Sequence, residues 1–235
     1  MKRIGLIGGM SWQSTATYYR HLNNLVAERL GGLHSADLLV RSVDFSVLEA
    51  AMSRGDWPMI AARLAAEAAC LERAGADCVL LCTNSMHKVH DGIEAALETA
   101  PFFHIADALG AALHRDRIGR IGLLGTRFTM EEGFYADRLQ AGFSIETITP
   151  DETQSPVINE IIFSELCRGI VSDDSRRAYL EIMDDLERRG AEAIVLGCTE
   201  IEMLIQPEHH PMPLYDTTLI HARHAVDWSL RGDGG

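Results

Sequence analysis

Short apolar runs alternate with longer segments of helical periodicity along the first part of the chain. The strand-like runs are "RIGLIGG" (3–9), "ADLLVRSVDF" (36–45) and "DCVLLCT" (77–83). Apolar residues recur at the three- and four-residue spacing of helices in the segments 11–32, 57–76 and 84–99. The third strand-like run is almost continuously apolar, as expected where helices cover both faces of a sheet. This alternation predicts an α/β fold with a parallel sheet.

The same pattern occurs a second time. "RIGLIG" (3–8) returns as "RIGLLG" (120–125), and "LERAGADCVLLCTN" (71–84) returns as "LERRGAEAIVLGCTE" (186–200). A weaker echo links "PFFHIADAL" (101–109) to "PMPLYDTTL" (211–219). An internal duplication that covers each half of the chain determines its architecture. We therefore predict two pseudo-symmetric α/β domains, each with a parallel sheet flanked by helices.

The duplication also predicts where the domains begin and end. We expect one domain over residues 1–100 and 208–235, and a second over residues 101–207. In this interpretation the stretch from Pro213 onward returns to the first domain as a strand and a closing helix. Open parallel sheets bind ligands at the carboxyl ends of their strands. Two such sheets that face one another would place the active site in the interdomain cleft.

Aligning the two copies on Gly75 and Gly190 places Thr83 opposite Cys198. Two polar groups related by a pseudo-twofold axis are suited to acting on opposite faces of one carbon, as a racemase does. A thiolate is the stronger base, and the pKa of its thiol must be lowered for it to act near neutral pH. We expect a helix that starts after each strand to lower it. Thr83 could alternatively cap the helix that follows it.

The other four cysteines have simpler interpretations. Cys70, Cys78 and Cys167 are expected in the core, because a free cysteine usually behaves as a small buried hydrophobe. Cys82 adjoins Thr83, but successive strand residues face opposite sides of a sheet. We therefore expect Cys82 to point away from the site, and a supporting role is the alternative.

Composition excludes several classes of partner. The formal net charge of −13 repels phosphate backbones, so nucleic-acid binding is not expected. No apolar run is long enough to span a membrane, and "IGLIGG" is too short and glycine-rich for a signal peptide. The five cysteines are odd in number, and no pair has metal-ligand spacing. We expect a cytoplasmic protein with reduced thiols.

No cofactor or metal is predicted. "GLIGGM" (5–10) follows a strand, but it lacks the G-x-G-x-x-G spacing and the acidic residue of a dinucleotide site. Histidines near the end of the chain, at positions 209, 210, 221 and 224, are expected to be solvent-exposed rather than metal ligands. Any enzymatic activity would therefore depend on side chains alone.

The chain resembles the aspartate/glutamate racemase family, and within it a bacterial broad-specificity subgroup. The resemblance is carried by "GLIGGMSWQST" (5–15), "LLCTNSMHK" (80–88) and "LGCTEIEML" (196–204). It implies two pseudo-symmetric α/β domains, amino-acid racemase activity without a cofactor, and a homodimer. The family's first motif, C-N-T-x-H, stands here as residues 83–87, so Thr83 replaces the first catalytic cysteine. The resemblance thus implies a Thr83/Cys198 pair whose two reaction directions are unequal.

Further site residues follow from the same resemblance. It implies that a group of residues lines the substrate pocket, namely Met10, Asn84, Ser85, Thr199 and Glu200. Arg168 stands where aspartate-selective relatives carry a lysine and could bind a carboxylate, or could be a surface residue. Met52 is apolar where related racemases carry polar side chains, which argues against strict preference for acidic substrates; Arg54 could compensate.

Other functions stay open at this level. Isomerases and decarboxylases of the same superfamily share the architecture, and the decarboxylases act with one cysteine. A small-molecule-binding protein that lost one base is a non-enzymatic alternative. A hydride-transfer enzyme would instead require a nicotinamide. The sequence favours the racemase, with the substrate open among aspartate, glutamate and homoserine-like amino acids.

Overall fold

The computed structural model describes residues 1–231 of the chain. Clustering of contacts divides it into two compact units, residues 1–104 together with the chain from residue 221 onward, and residues 105–220. Each unit contains one four-stranded sheet in which all neighbouring strands are parallel. The predicted α/β architecture with two parallel sheets is therefore confirmed. Within residues 1–231, no helix combines the length and hydropathy needed to cross a membrane.

The first unit is built from alternating strands and helices. Its sheet has the order β2-β1-β3-β4. A short 3₁₀ helix, Ser85–Val89, precedes α4. The elements are β1 (Ile4–Gly8), α1 (Trp12–Leu30), β2 (Leu38–Ser42), α2 (Phe45–Arg54), α3 (Trp57–Arg73), β3 (Cys78–Leu81), α4 (His90–Glu94) and β4 (Phe102–Phe103).

The second unit repeats this order. Its sheet runs β6-β5-β7-β8, and the boundary between the units falls within α10. The elements are α5 (Ile105–Arg115), β5 (Arg120–Gly125), α6 (Arg127–Glu131), α7 (Gly133–Phe143), β6 (Glu146–Ile148), α8 (Gln154–Ser164), α9 (Asp173–Arg188), β7 (Ala193–Gly197), β8 (Leu214–Asp216) and α10 (Thr217–Ser229). Short 3₁₀ helices lie at Leu166–Arg168, Ile201–Met203 and Pro207–His209.

Strand β7, one of the two central strands of the second sheet, is buried along its whole length. Alternate residues enter two separate core clusters, because successive side chains of a strand point to opposite faces. Ile194 and Leu196 pack in one cluster with α8 and α9. Ala193 and Val195 pack in the other with α5 and α7. Burial on both faces explains why this strand is a continuous apolar run in the sequence.

The duplicated halves also share an ion-pair arrangement at the start of their first strands. Arg3 Nε lies 2.9 Å from an Asp37 carboxylate oxygen, and its backbone N–H donates to Asp77 over 2.6 Å. In the second unit, Arg120 pairs with Glu146 at 2.6 Å, and its backbone N–H donates to Glu192 over 3.0 Å. The list of equivalent positions is therefore Arg3 and Arg120, Asp37 and Glu146, and Asp77 and Glu192. The repeat read from the sequence extends to side chains that anchor neighbouring strands.

The expected helix boundaries are accurate at α1 and wrong after β3. Ser11 caps α1, and its hydroxyl accepts the backbone N–H of Ser14 over 3.2 Å. The predicted helix over 84–99 is instead a 3₁₀ helix followed by a five-residue α4. The chain beyond Glu94 forms a loop that is held by the carboxylate of Glu72.

The expected fate of the last strand is wrong. Strand β8 pairs in parallel with β7, so it completes the second sheet rather than returning to the first. It occupies the place that β4 occupies beside β3. The registers pair Val79 with Phe102 and Ile194 with Leu214. The weak sequence similarity between 101–109 and 211–219 therefore does mark two equivalent strands. The structure aligns Phe102 with Leu214, which shifts the sequence alignment by two residues.

Glu72 provides a test of this loop anchor. Its carboxylate accepts backbone N–H groups from Glu98, Thr99 and Ala100, which lowers its pKa from about 4.5 to about 2. A lowered carboxyl pKa stabilises the folded state above the unfolded pKa, and the stability is lost as pH falls through the folded value. We expect Glu72→Gln to lower the melting temperature at pH 7. The difference from the wild type should shrink between about pH 4.5 and pH 2.

The second copy of the repeat supplies the matched control. Glu187 stands at the position equivalent to Glu72, is exposed, and is replaced by glutamine in the control variant. Thermal melts of both variants, followed by circular dichroism across that pH range, measure the effect. Equal melting temperatures for Glu72→Gln and the wild type at pH 7 would show that the loop does not depend on this carboxylate.

Candidate active site

The first loop of the site follows β1, which ends at Gly8, and begins with Gly9 of "GLIGGM". Gly9 has a φ of +94°, and a side chain there would lie 2.2 Å from the carbonyl oxygen of Val43. Its backbone N–H donates to the hydroxyl of Thr15 over 2.7 Å. The glycine is thus explained by close packing of the chain against the end of β2. Met10, which follows it, is buried.

The second polar loop follows β3 and contains Thr83, Asn84 and Ser85. Cys82 is fully buried, and burial raises the pKa of its thiol. Its backbone carbonyl accepts the hydroxyl of Ser14 over 2.7 Å. Thr83 is half-buried, whereas Asn84 and Ser85 are buried. The parallel strands β1 and β3 are neighbours, so Met10 and Thr83 lie at the same edge of the sheet.

A cluster of histidines supports the Thr83 loop. The His87 ring lies against the rings of His104 and His221, with centroids 4.5 Å and 5.9 Å away. His87 Nδ1 lies 2.8 Å from the backbone oxygen of Thr83. A carbonyl can only accept, so Nδ1 carries the hydrogen. Burial and the neighbouring His221 and His90 hold the pKa of His87 well below its usual value, which keeps the ring neutral.

The expectation of exposed histidines fails at His221. This residue is fully buried, and Tyr18 lies 2.9 Å from its Nδ1 while the carbonyl oxygen of Phe103 lies 2.8 Å from its Nε2. Nε2 therefore donates to the carbonyl, and Nδ1 accepts the tyrosine hydroxyl. His221 is a hydrogen-bonded core residue. His210 is likewise buried.

The remaining first-unit candidates lie on α2. Met52 is buried on this helix, and Arg54 is exposed at the helix end. Helix α2 follows β2, whose carboxyl end neighbours that of β1. The N-terminus of α2 thus lies at the same end of the first unit as the loops after β1 and β3. Arg54 is the last residue of α2, before the capping Gly55, and the end of a helix is a common location for a surface arginine.

In the second unit the candidates converge on the end of β7. Gly197 precedes the cysteine, and a side chain there would lie 2.9 Å from the backbone oxygen of Leu124 on β5. The thiol of Cys198 donates to Glu200 Oε2 over 3.0 Å. The hydroxyl of Thr199 donates to the same oxygen over 2.6 Å. Three consecutive polar residues therefore share one carboxylate oxygen at the strand end.

The expected lowering of the Cys198 pKa is wrong. Burial and the adjacent Glu200 carboxylate, which also accepts the thiol hydrogen, raise its pKa well above the usual value. The element that follows is a three-residue 3₁₀ helix, Ile201–Met203, which is too short to supply the expected helix dipole. Cys198 is therefore a protonated thiol in this structure, with its hydrogen directed at a carboxylate.

The region around Cys198 also includes Cys167. Cys167 packs against the core cluster that contains Cys198 and Tyr179, in line with its expected core position. Burial and the Glu200 carboxylate raise its pKa to about 12. Arg168 follows it at the end of a 3₁₀ helix and is exposed. The structure thus places Arg168 next in sequence to a residue of the Cys198 cluster, with the carboxylate-binding and surface roles both compatible with this position.

Sequence reasoning missed buried threonines at two strand ends of the second unit. They are Thr126 and Thr129 after β5, and Thr217 and Thr218 after β8. Thr217 donates to the backbone oxygen of Leu196 over 2.9 Å. The signal was present in "LLGTRFT" and "LYDTT", where hydroxyl residues directly follow apolar strands. These threonines lie at the same sheet edge as Cys198, because all four strands are parallel.

A cluster of Asp184, Glu187 and His210 in the second unit has the composition of a metal site. Within this cluster His210 already makes two hydrogen bonds. His210 Nδ1 accepts the backbone N–H of Met212 over 3.2 Å, so the ring hydrogen is on Nε2. Nε2 lies 3.1 Å from Asp184 and donates to it. The hydrogen bonds thus engage both ring nitrogens of His210, one with the backbone and one with Asp184.

Comparisons with known proteins agree with this fold. Residues 7–225 match the model of the family described as Asp/Glu/Hydantoin racemase. The crystal structure of a Yersinia pestis protein assigned as an Asp/Glu racemase is 49% identical, with a TM-score of 0.92, and the match covers 98% of this chain and 100% of that one. An aspartate racemase homologue from Pyrococcus horikoshii is 28% identical, with a TM-score of 0.85 and coverage of 97% and 99%.

Glutamate racemase from Francisella tularensis, solved with D-glutamate, shares the fold at a TM-score of 0.67 and 14% identity, and the match covers 97% of this chain and 80% of that one. Two parallel α/β sheets flanked by helices are thus the fold that this chain shares with these racemase structures. The chain belongs to the Asp/Glu/hydantoin racemase family. Family membership supports amino-acid racemase activity, which is an isomerase reaction.

The buried His87 predicts acid sensitivity of the Thr83 loop. The pKa of a histidine is about 6.5 in an unfolded chain and lies well below that value in this fold. The unfolded state therefore binds a proton first, so stability is lost as pH falls below about 6.5. We expect His87→Gln to lower stability at pH 7.5 through the lost contact with Thr83. Between pH 7 and pH 5 the variant should lose less stability than the wild type loses.

The control is His34→Gln, because His34 is exposed in the same unit. Urea unfolding at a series of pH values measures both slopes. A His87→Gln variant with the wild-type dependence on pH would place the acid-sensitive group elsewhere.

Proposed function

We propose that this protein is a cofactor-independent racemase of aspartate, glutamate or a related amino acid, with Thr83 and Cys198 as its two acid–base groups. The observation that carries the proposal is the equivalence of the two strand ends. Residue Ile7 pairs with Leu81 in the first sheet, and Leu124 pairs with Leu196 in the second. Thr83 and Cys198 each lie two residues beyond these paired positions.

The chemistry needs one group on each face of the α-carbon. In one direction the Cys198 thiolate takes the α-proton, and the electron pair of the broken C–H bond is left on the α-carbon. Thr83 then supplies a proton from its hydroxyl to the opposite face, and water restores that hydroxyl. In the other direction the roles reverse. Hydrogen-bond donors close to the carboxylate stabilise the developing negative charge.

The two directions should differ in rate. A hydroxyl is a much weaker acid than a thiol, so the Thr83 alkoxide is less accessible than the Cys198 thiolate. The carbonyl of Thr83 accepts a hydrogen bond from neutral His87, which fixes the backbone of this loop. Removal of a proton on the Thr83 side is therefore the step that we expect to be slow.

Substrate recognition is proposed from the same strand ends. Met10, Asn84 and Ser85 in the first unit, and Thr199 in the second, are the pocket residues that the resemblance implied. Arg168 would bind a carboxylate of an acidic substrate in two parallel hydrogen bonds. Met52 would make the pocket tolerant of less polar side chains. Glu200 is already engaged with Cys198 and Thr199, which supports a role in the thiol's chemistry.

Two further parts of the proposal come from the resemblance and the composition. The protein would act as a homodimer in the cytoplasm, without nucleic acid, membrane or metal partners. The alternative functions, a superfamily isomerase or decarboxylase or a binding protein with one base lost, are outcomes of the experiment below.

The deciding measurement is exchange of the α-proton in deuterated water. Each common L- and D-amino acid is incubated with the protein without added cofactor, and loss of the α-proton signal is followed by NMR. We expect exchange with one or a few amino acids, and Cys198→Ala should lower the rate by about 100-fold or more. Cys70→Ala is the control, because Cys70 lies on α3, outside the proposed site. Wild-type rates in Cys198→Ala would remove Cys198 from the mechanism, and no exchange with any amino acid would favour the alternative functions.

Thr83 is tested through the asymmetry of the reaction. We expect Thr83→Val to abolish racemisation, because one face of the α-carbon then lacks a proton donor. Exchange that Cys198 performs on its own face should persist. Thr83→Cys should accelerate the slow direction, because a thiolate forms more readily than an alkoxide. Initial rates from the L and D enantiomers, followed by polarimetry, give both directions. Equal effects of Thr83→Val and Thr83→Ser would indicate that the hydroxyl takes no part.

A further inference from the structure

We propose that Glu200 is the positioning residue of Cys198: its carboxylate holds the resting thiol in the protonated form and takes up the thiol proton when Cys198 acts as a base. This inference rests on the proposed function and assigns to Glu200 a role different from lining the substrate pocket. It concerns three consecutive residues at the end of β7, one of the two central strands of the second sheet.

The geometry gives the carboxylate one oxygen for two donors. Glu200 Oε2 accepts the Cys198 thiol at 3.0 Å and the Thr199 hydroxyl at 2.6 Å. The hydroxyl contact is short, as expected for a charge-assisted hydrogen bond. Thr199 thereby fixes the carboxylate against the thiol. The direction of the thiol contact is set by chemistry, because an ionised carboxylate can only accept.

Because both side chains are buried, the charges of Cys198 and Glu200 depend on one another. Cys198 is 8% exposed and Glu200 is 6% exposed. A single negative charge can be placed on either group, as carboxylate with thiol or as carboxylic acid with thiolate. Moving the proton from sulfur to oxygen leaves the net charge of the pair unchanged, whereas removing a second proton adds a buried charge. The low-cost route to a thiolate at this site is therefore internal transfer to Glu200.

The proton balance of the proposed step is complete. The S–H bond of Cys198 breaks, and an O–H bond forms on Glu200 Oε2. The thiolate then takes the α-proton of the substrate, so that an S–H bond forms again while the α-carbon keeps the electron pair. Glu200 finally releases its proton to water. In the opposite direction Glu200 first takes a proton from water, Cys198 gives its hydrogen to the carbanion, and Glu200 returns its proton to the thiolate, so the pair never carries two negative charges.

The backbone around the pair supports positioning. Gly197 allows the end of β7 to approach β5, and the backbone N–H of Ile201 returns to the carbonyl of Cys198 over 3.2 Å. The backbone N–H of Met203 donates to the carbonyl of Glu200 over 3.1 Å. These turns fix the direction of both side chains without a long helix. The carboxylate is thus directed at the sulfur by local structure.

The test measures the thiolate directly. Thiolate formation is followed by ultraviolet absorbance near 240 nm between pH 6 and pH 10, in the full-length protein without substrate. Each protein is measured against the same protein with Cys198→Ala, so that the difference reports Cys198 alone. The variants are Glu200→Gln, which removes the charge and keeps the shape, and Glu200→Asp, which keeps the charge and shortens the reach. Glu208→Gln is the control, because Glu208 is exposed and the charge change is the same.

We expect the Cys198 thiolate to form at lower pH in Glu200→Gln than in the wild type, because a neighbouring negative charge is gone. α-Proton exchange should nevertheless fall by about 100-fold or more, because the proton acceptor is gone. Glu200→Asp should retain the high titration of the thiol and recover part of the exchange rate. Glu208→Gln should match the wild type in both measurements.

The outcomes separate this inference from the proposed function. A Cys198 titration in Glu200→Gln at or above the wild-type pH would overturn the pairing, whatever the activity. A lowered titration with undiminished exchange would overturn the proton-acceptor role. A lowered titration in a protein whose wild type exchanges no amino acid would overturn the racemase proposal and would support the pairing of the two side chains.

Discussion

The structure depends on complete burial of the central strands. Strands β1, β3 and β7 are buried along their full length, and helices pack on both faces of the second sheet. A polar side chain along such a strand would lose its hydration without gaining a partner. Hydroxyls, thiols and carboxylates with chemical roles are therefore confined to the strand ends. Thr83 and Cys198 lie at these ends because the interior of each sheet admits only apolar side chains.

The same constraint determines how the thiol behaves. At an exposed position, a neighbouring carboxylate would matter little to a cysteine. At the end of β7, low hydration strengthens the effect of Glu200, so the thiol keeps its hydrogen and directs it to the carboxylate. A buried thiol–carboxylate pair exchanges a proton internally at lower cost than it loses one to water. Reactivity at this site would thus come from proton transfer within a pair.

The duplication links these local features to the architecture. Two sheets of identical strand order carry matching arginine–carboxylate anchors at one end. At the other end they carry different chemistry, a hydroxyl residue in one copy and a thiol residue in the other. The anchors conserve the register between neighbouring strands, and register decides which residue reaches the strand end. The two copies could therefore diverge at their strand ends without a change of fold.

The sequence by itself determined the fold class, the repeat, the family and the position of Cys198 at the lip of a buried strand. These follow from periodicity and local motifs, since apolar runs and glycine stops report burial directly. Only the tertiary structure showed that β8 pairs with β7 in the second sheet, because β8 is short and its pairing depends on contacts distant in sequence. It also decided the protonation of Cys198 and the burial of His221. Both depend on how far water is excluded and on which polar atoms lie within hydrogen-bond distance, and neither quantity is written in the local order of residues.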